Sequence, residues 1–559
     1  MAAVSQRVDN FLGGVSRQSD DKKRPGQVRE CLNGYPDPTF GLTKRPGLKW
    51  VSNLGTGTTY DSSKWFYISR GTGEKYVGCI TPAGGSTGTI AMWNATSGAT
   101  VTIVYGTGAQ AYLTGAQTNY HVLNLQDTSI ITNNLITAAV QSAPSFTAKS
   151  QATLVLSGTT ISTPYSVTVA GSTATVTTDS DDTYSDTLTK LKTAIDALSI
   201  SNLTTTIYKT TLQLSRTSAF TIVASGGSDG NSIRAFQDQV DSNADLPNES
   251  FNNHTVKVMN TSDLDHDDYW RKFVADNGTS GTGHWTETID PSVSVGLDSS
   301  TVPHELVKTD TNEFTLRKVT WTNRTVGDDV TNPHPSFIGK KIVQSFYHNT
   351  RLGFLSEDNV IMSQAGEKFN LYYDSAQQVS DSDPIDIQAA SIRPVSLESV
   401  LPTPQGIVLF SKNQQFLMNS ESGVLTPTTT LIAPVSNYEV DTDVDPVNTG
   451  THLNFISKTP SYTRIFAMLT RGQEESPQVL DIGRVVNEWV PATIDRLVSS
   501  AENEFIAMSS QSSRYVYFFR TYSDGEKNLM EAWFNWQTCG TVQFIDVDED
   551  DMLFVTKQG

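Results

Sequence analysis

One theme recurs four times between Leu352 and Phe519: an apolar strand, a Ser-led polar turn and a second apolar strand. The copies are Leu352-Gly-Phe-Leu-Ser-Glu-Asp-Asn-Val-Ile-Met362 and Ile407-Val-Leu-Phe-Ser-Lys-Asn-Gln-Gln-Phe-Leu-Met418, then Asn454-Phe-Ile-Ser-Lys leading to Arg464-Ile-Phe-Ala-Met468, and Phe505-Ile-Ala-Met-Ser leading to Tyr515-Val-Tyr-Phe-Phe519. Their starts lie 55, 47 and 51 residues apart. Antiparallel hairpins recurring at about 50 residues are the mark of propeller blades, whereas a sandwich repeats less regularly and a β-helix at a much shorter period. The sequence therefore predicts a mainly β protein with a β-propeller body. A further hairpin opens at Val542-Gln-Phe-Ile545 and reaches Met552-Leu-Phe-Val555. The last blade is expected to be incomplete unless N-terminal strands close the ring.

Composition agrees with a strand-rich chain. At 559 residues it exceeds one compact core, so two to four domains are expected. Apolar residues make up 37% and charged residues 18%, both below soluble averages of about 45% and 25%. Thr, Ser, Asn and Gly fill the difference, and they suit strands and turns. Three cysteines, Cys31, Cys79 and Cys539, are too few and too scattered for a disulfide framework or a zinc site. No apolar run approaches the ~18 residues of a membrane span, and the N-terminus lacks a signal-peptide core. No membrane span is expected, and assembly is expected in a reducing cytoplasm.

Four regions follow from texture. Residues 1–50 read as an extended N-terminal arm, because Gly13, Gly14, Pro25, Pro36, Pro38 and Pro46 forbid long regular elements. This arm holds nine Lys/Arg against five Asp/Glu, a balance of +4; the formal charge of the chain is −19, so the remainder carries −23. A basic arm on an acidic body is expected to dock on an acidic neighbour. Residues 51–141 read as a β-rich N-terminal part of the body, with strands at Trp65–Ile68 and Val101–Tyr105. Residues 142–246 read as a small α+β insert domain. There Tyr165, Val167 and Val169 share one face of a strand, and Leu188, Leu191, Ile195 and Leu198 recur at helical spacing. Ser185 is the expected N-cap of that helix, with Asp186 in its first turn. Strands resume at Thr204–Tyr208 and Thr211–Ser215, and the Asp/Asn-rich run from Asp238 to Asn253 reads as a boundary. Residues 247–559 are assigned to the propeller blades.

Chemical motifs weigh lightly. Gly84-Gly-Ser86-Thr-Gly88 and Gly226-Gly-Ser228-Asp-Gly230 match the nucleophile-elbow pattern without its strand-then-helix setting, so they read as turns. Gly106-Thr-Gly108 mimics a dinucleotide loop with no crossover helix behind it. His304-Glu305 starts like a zincin motif, but Lys308 stands where the second His must be. Asp263-Leu-Asp265-His-Asp267-Asp268 and Asp441-Thr-Asp443-Val-Asp445 alternate carboxylates as calcium loops do, yet both lack the glycine and glutamate of an EF-hand, and Asp546–Asp551 reads as a polar hairpin tip. Trp533 and Trp536 fall on opposite faces of one strand, which favours core packing over a sugar platform. Arg351, Asp383 and Asp386 are expected to form a structural ion pair. No catalytic, cofactor-binding or metal residue is assigned, and the chain is expected not to be an enzyme.

Several unrelated short motifs keep one order along the chain. They are Gly13-Gly14-Val15-Ser16-Arg17-Gln18, Asn33-Gly34, Gly41-Leu42-Thr43-Lys44-Arg45-Pro46, Trp285-Thr-Glu-Thr288, Pro303-His-Glu-Leu-Val307, Asn332-Pro-His-Pro-Ser-Phe337, Arg351-Leu-Gly-Phe-Leu-Ser356 and Ser382-Asp-Pro-Ile-Asp386. In these the chain resembles the tail tubular protein B, or nozzle, family of short-tailed bacteriophages. Members of that family usually continue further, so the resemblance implies a propeller C-terminally incomplete relative to the family. It also implies a homohexamer in the virion tail, assembled in the bacterial host cytoplasm. Such a ring sits below a dodecameric tail adaptor, docks tail fibres, and encloses and gates the channel through which double-stranded DNA is ejected without sequence-specific binding. The insert at 142–246 is the expected fibre dock. An acidic body suits a conduit, because a basic lumen would hold the phosphates of a sliding duplex. Two rival functions are a tail-associated polysaccharide depolymerase, which needs two carboxyls about 5–10 Å apart in a cleft, and a monomeric propeller adhesin.

Overall fold

The computed structural model describes residues 10–558 except 72, 84–85, 229, 260–267, 392–393, 421–422, 451, 470–476 and 524–527. Four consecutive four-stranded antiparallel meanders run from Gln344 to Gln537. The first is Gln344–His348, Arg351–Ser356, Asn359–Met362 and Ile385–Gln388. The next three open with Leu397–Thr403, Val447–Asn448 and Arg496–Ser500. The hairpins that recur in the sequence are the second and third strands of each meander, for example Gly406–Ser411 with Gln415–Asn419. Every residue of Arg351–Ser356 and Gly406–Ser411 is buried. These strands are covered on both faces by neighbouring sheets, so they read as continuous apolar runs rather than alternating ones.

The opening strands of the first and second meanders lie side by side, as do those of the third and fourth, and two other parts of the chain join their circle. The hairpin Thr541–Asp548 with Asp551–Lys557 sets its first strand between Arg496–Ser500 and Lys64–Ser69. Lys64–Ser69 in turn neighbours Tyr120–Leu125, which neighbours Gln344–His348. The fold is therefore mainly β and propeller-like, with N-terminal strands closing the ring beside the C-terminal hairpin. Closure leaves few sheet edges free to pair with foreign strands.

Lys64–Ser69 and Tyr120–Leu125 are the two ends of one eight-stranded sheet, whose middle strands include Glu313–Lys318 and His304–Asp310. Residues 304–318 thus return to pair with strands laid down two hundred residues earlier, Thr128–Asn133 and Thr100–Tyr105. Between these passes lie two smaller units. In the first, the helix Tyr184–Ala197 buries Leu188, Leu191 and Ile195 against Tyr165, Val167 and Val169. Its N-cap is Thr183 rather than Ser185. Thr183 is extended, its Oγ1 accepts from the Asp186 amide (3.3 Å), and Asp186 Oδ2 accepts from the Thr183 amide (3.0 Å). A cap must lie outside the helical turn it satisfies, and Ser185 is already inside it. The second unit is a five-stranded sheet spanning Gln239 to Thr288.

The arm lies along the outer strand of the last meander, Asn528–Gln537. The Val15 amide donates to the Trp533 carbonyl (2.7 Å), the Asn33 amide to the Asn535 carbonyl (2.8 Å), and Trp536 Nε1 to the Gly34 carbonyl (2.9 Å). Gly14, at φ +65°, approaches so closely that a Cβ there would stand 2.7 Å from Ala532 Cα. Gly14→Ala is therefore expected to release this seam at a cost of roughly 1–3 kcal/mol. Hydrogen exchange over residues 15–33 should speed up at least tenfold; unchanged protection would contradict the seam's dependence on that contact.

Candidate functional site

Charged and amide side chains gather where the opening strands converge. Lys64, Gln344 and Arg496 each begin such a strand, and His121 is second in another. Asp443 and Asp445 come from the turn before Val447–Asn448, and Asp495 precedes Arg496. Gln344 joins three parts of the ring. Its Nε2 donates to His121 Nε2 (2.9 Å) and reaches Asp445 Oδ1 (3.4 Å), while its Oε1 accepts from the Val400 amide (2.9 Å). With Nε2 accepting, the neutral imidazole carries its proton on Nδ1. Burial lowers the His121 pKa to about 4, with Asp445 opposing the shift.

The same physics acts on the neighbouring charges. Burial pulls the Lys64 ammonium down from its ordinary value, against the pull of Asp445, and burial pushes the Asp495 carboxyl up. Arg496 Nη2 binds Asp546 Oδ2 (2.7 Å), its Nε donates to the Ile545 carbonyl (3.0 Å), and the guanidinium lies 4.4 Å from the Phe544 ring centre. Gln511 Nε2 reaches the carbonyls of Ser63 (3.4 Å) and Gln543 (3.2 Å). Each contact joins an N-terminal strand, a meander or the C-terminal hairpin to another. The arrangement locks a ring shut. Its imidazole already spends Nε2 on Gln344 and stays neutral until well below pH 6.

None of Lys64, His121, Gln344 and Arg496 stood out in the sequence. The available signal was a charged or amide residue at the mouth of an apolar strand, as in Lys64-Trp-Phe-Tyr-Ile68. Residues that did stand out have ordinary places. Arg351 makes no ion pair with Asp383 or Asp386. Its guanidinium donates instead to the carbonyls of Ser363 (2.8 Å), Ser382 (3.1 Å), Asp383 (2.7 Å) and Asp381 (2.8 Å). The Asp383 carboxylate accepts from the Ser380 amide (2.7 Å), and Asp386 accepts from the Ser336 amide (2.7 Å) and hydroxyl (2.6 Å). A planar five-donor group fits a loop of converging carbonyls, and turn amides attract carboxylates, so each charge is satisfied separately.

Asp441 pairs with Lys458, Asp546 with Arg496 and Asp548 with Lys75, so these acidic turns meet cations of the chain itself. Of the other acidic run, residues 263–267 lie outside the described residues, and Asp268 pairs with Lys257 (2.8 Å). His304 and Glu305 belong to a strand, and Gly106–Gly108 leads into a short 3₁₀ turn at Gln110–Tyr112. Gly226 ends the strand Ile222–Gly226, with residue 229 outside the described residues; 84–85 of the other elbow-like motif are outside them too. Trp533 and Trp536 are buried on opposite faces, against Phe519 and Phe518 respectively. Among the described residues, no group of three or more His, Cys, Asp or Glu is arranged to hold a metal ion. Among them too, no helix is long and apolar enough to cross a membrane.

Comparison with known proteins adds the following. Residues 1–559 match the family model of the bacteriophage nozzle protein. The chain is 24% identical over 568 aligned residues to the tail tubular protein gp12 of Escherichia phage T7, covering 98% of this chain and 70% of that protein. Among solved structures, a putative 6-phosphogluconolactonase from Bacteroides uniformis aligns at 12% identity and a TM-score of 0.28, covering 55% of this chain and 89% of that one. The Pan2 WD40 domain of Neurospora crassa aligns at 10% identity and a TM-score of 0.24, over 40% of this chain and 57% of that domain. Likenesses this weak carry no argument.

Proposed function

The chain belongs to the bacteriophage nozzle protein family, and from that membership we propose that six copies close around a hollow axis in a short phage tail. The ring sits below a dodecameric adaptor, offers docking positions to tail fibres, and conducts and gates the genome during ejection. Its subunits fold in the host cytoplasm and join the tail there. The work is mechanical and electrostatic, with no bond made or broken in a substrate.

The observation that carries this reading is the family match along the whole chain, and the charge distribution supports it. Duplex DNA presents one negative charge per about 1.7 Å of axis, and a protein holds it by displacing condensed counterions with Lys and Arg. A body at −23 outside its arm cannot do that over much of its surface. Screening limits repulsion to a Debye length of about 8 Å, so an acidic wall acts only on a duplex drifting close to it. It centres the duplex without braking it. The polar lock inside each subunit's own ring keeps that wall rigid, because Gln344, Arg496 and Gln511 tie first strands together.

Subunit mass tests the stoichiometry. Purified protein, alone or seeded with adaptor rings, is expected to add mass in steps of six times 61.0 kDa, or 366 kDa. A species that stays at 61.0 kDa under both conditions contradicts the ring.

A further inference from the structure

Exposed apolar side chains concentrate on one stretch of the basic arm. Phe40 is 79% and Trp50 77% exposed, and Leu42, Leu48 and Val51 are open beside them. A single exposed leucine needs no explanation, but a run of large apolar residues on one segment marks a contact surface. The backbone there is open as well. Among the described residues, the one hydrogen bond that reaches residues 46–51 comes from the Arg45 guanidinium to the Pro46 carbonyl. An extended segment with few contacts to its own chain can place its apolar side chains on a neighbouring surface.

An apolar seat for one of its side chains exists elsewhere on the chain. Strand Ser86–Asn94 pairs with Thr100–Tyr105 only at Met92–Val101 and Trp93–Thr100. Beyond those pairs the second strand swings away to run parallel with Glu313–Lys318. The fork between them opens a cavity of about 370 Å³, lined by Ile90, Met92, Trp93, Val101, Ile103 and Tyr105. The Tyr105 hydroxyl accepts from the Ile90 amide (2.8 Å) across the gap, which props the fork apart. The chain's own arm continues past this cavity, with Leu54 at its rim, while Trp50 stays in solvent. The Gly88 amide donates to the Leu113 carbonyl (2.6 Å) and the Gly88 carbonyl accepts from Gln110 Nε2 (3.1 Å), so what one copy leaves open is an apolar seat for a side chain.

Charge selects the partner. Lys44 and Lys49 are interspersed in the apolar run and have no acidic partner among the described residues. Asp310 and Glu313 bound the turn beside Thr102, whose amide donates to the Asn312 carbonyl (2.9 Å), and they have no cationic partner among the described residues. We propose that residues 46–51 of one copy pack over the forked sheet of a second copy, with Trp50 in the apolar cavity and Lys49 facing Asp310 and Glu313. This rests on the ring reading above, and it names the contact that links consecutive subunits.

The test places the photo-reactive residue benzoylphenylalanine at position 50 of the full chain and irradiates assembled tails made from mixed light- and heavy-isotope copies. The expected product joins position 50 of one copy to residues 89–105 of another. Lys49→Glu should lower ring yield at least tenfold, and adding Asp310→Lys with Glu313→Lys should restore it. Rings that form normally but crosslink only within one copy, at another surface, or to a different tail protein would overturn the proposal and leave the ring standing. Absence of any species above 61.0 kDa in the unaltered protein, in solution and in tails, would overturn both.

Discussion

Arg351→Met is expected to destabilise the ring by about 3–5 kcal/mol, from buried main-chain carbonyls left without their charged donor. Arg351 is 2% exposed and its donors hold four main-chain carbonyls, three of them in the loop that leads to Ile385–Gln388. The substitution keeps the stem's volume but strands the carbonyls of the buried residues Ser363 and Asp383; Asp381 is exposed to water, and the Ser382 carbonyl keeps the Ala365 amide (2.9 Å). Each orphaned buried carbonyl costs about 1–3 kcal/mol, so partial relaxation of the loop still leaves a large loss. Arg351→Lys should recover only part of it, because an ammonium cannot span the fork of carbonyls. Urea denaturation followed by tryptophan fluorescence measures the effect. A loss below about 1 kcal/mol would show that water replaces the guanidinium at no cost.

Acidification from pH 7 to 5 is expected to weaken the fold by roughly 6 kcal/mol through three histidines. His121, His254 and His304 are each lowered from 6.5 to about 4 by burial. The unfolded chain takes up these protons as pH drops through 6.5, and the folded chain refuses them until about 4. Their stabilisation is thus complete above pH 6.5, declines through that window and is gone below about 4, at roughly 2 kcal/mol each by pH 5. The three sites are independent. His121 accepts from Gln344 at the ring interior, His254 stacks on Phe251 in the five-stranded sheet (4.5 Å), and His304 stacks on Tyr112 in the eight-stranded one (4.1 Å). Imidazole NMR signals should report all three neutral at pH 5. Titration near 6.5 in the folded protein would contradict the account.

What could be read from the chain depended on how locally the information was stored. The second and third strands of the meanders were legible because both are apolar and joined by a short turn, as in Leu352–Met362. The first and fourth were not. Val447–Asn448 is two residues long, and Leu431–Ser436 is largely exposed and holds Pro434. Strands Thr204–Tyr208 and Thr211–Ser215 match their alternating pattern, and Tyr165, Val167 and Val169 are all fully buried. Ring closure was illegible in detail, because it packs Lys64–Ser69 beside a strand nearly five hundred residues away. The Asp/Asn-rich run from Asp238 hid Gln239–Val240 and Glu249–Phe251, strands too short to show a period. Arg351 was legible as an important residue but not in its partners. Sequence spacing brings carboxylates to mind, whereas the fold supplies carbonyls.

The interior lock shows the same limit. Lys64, His121, Gln344 and Asp445 come from four separate stretches, and no spacing rule links them. Their convergence is a property of the closed ring, so only topology could reveal it. Charge was legible in sum but not in place: the arm's basic residues were apparent, and its seam along Asn528–Gln537 was not.

The most direct measurement is an averaged electron-microscopy reconstruction of intact tails carrying this protein. It should contain six copies around an open axis wide enough for a duplex, with carboxylate-rich surfaces turned toward the lumen. A solitary copy, a position away from the DNA path, or a lumen lined by lysine and arginine would contradict the account.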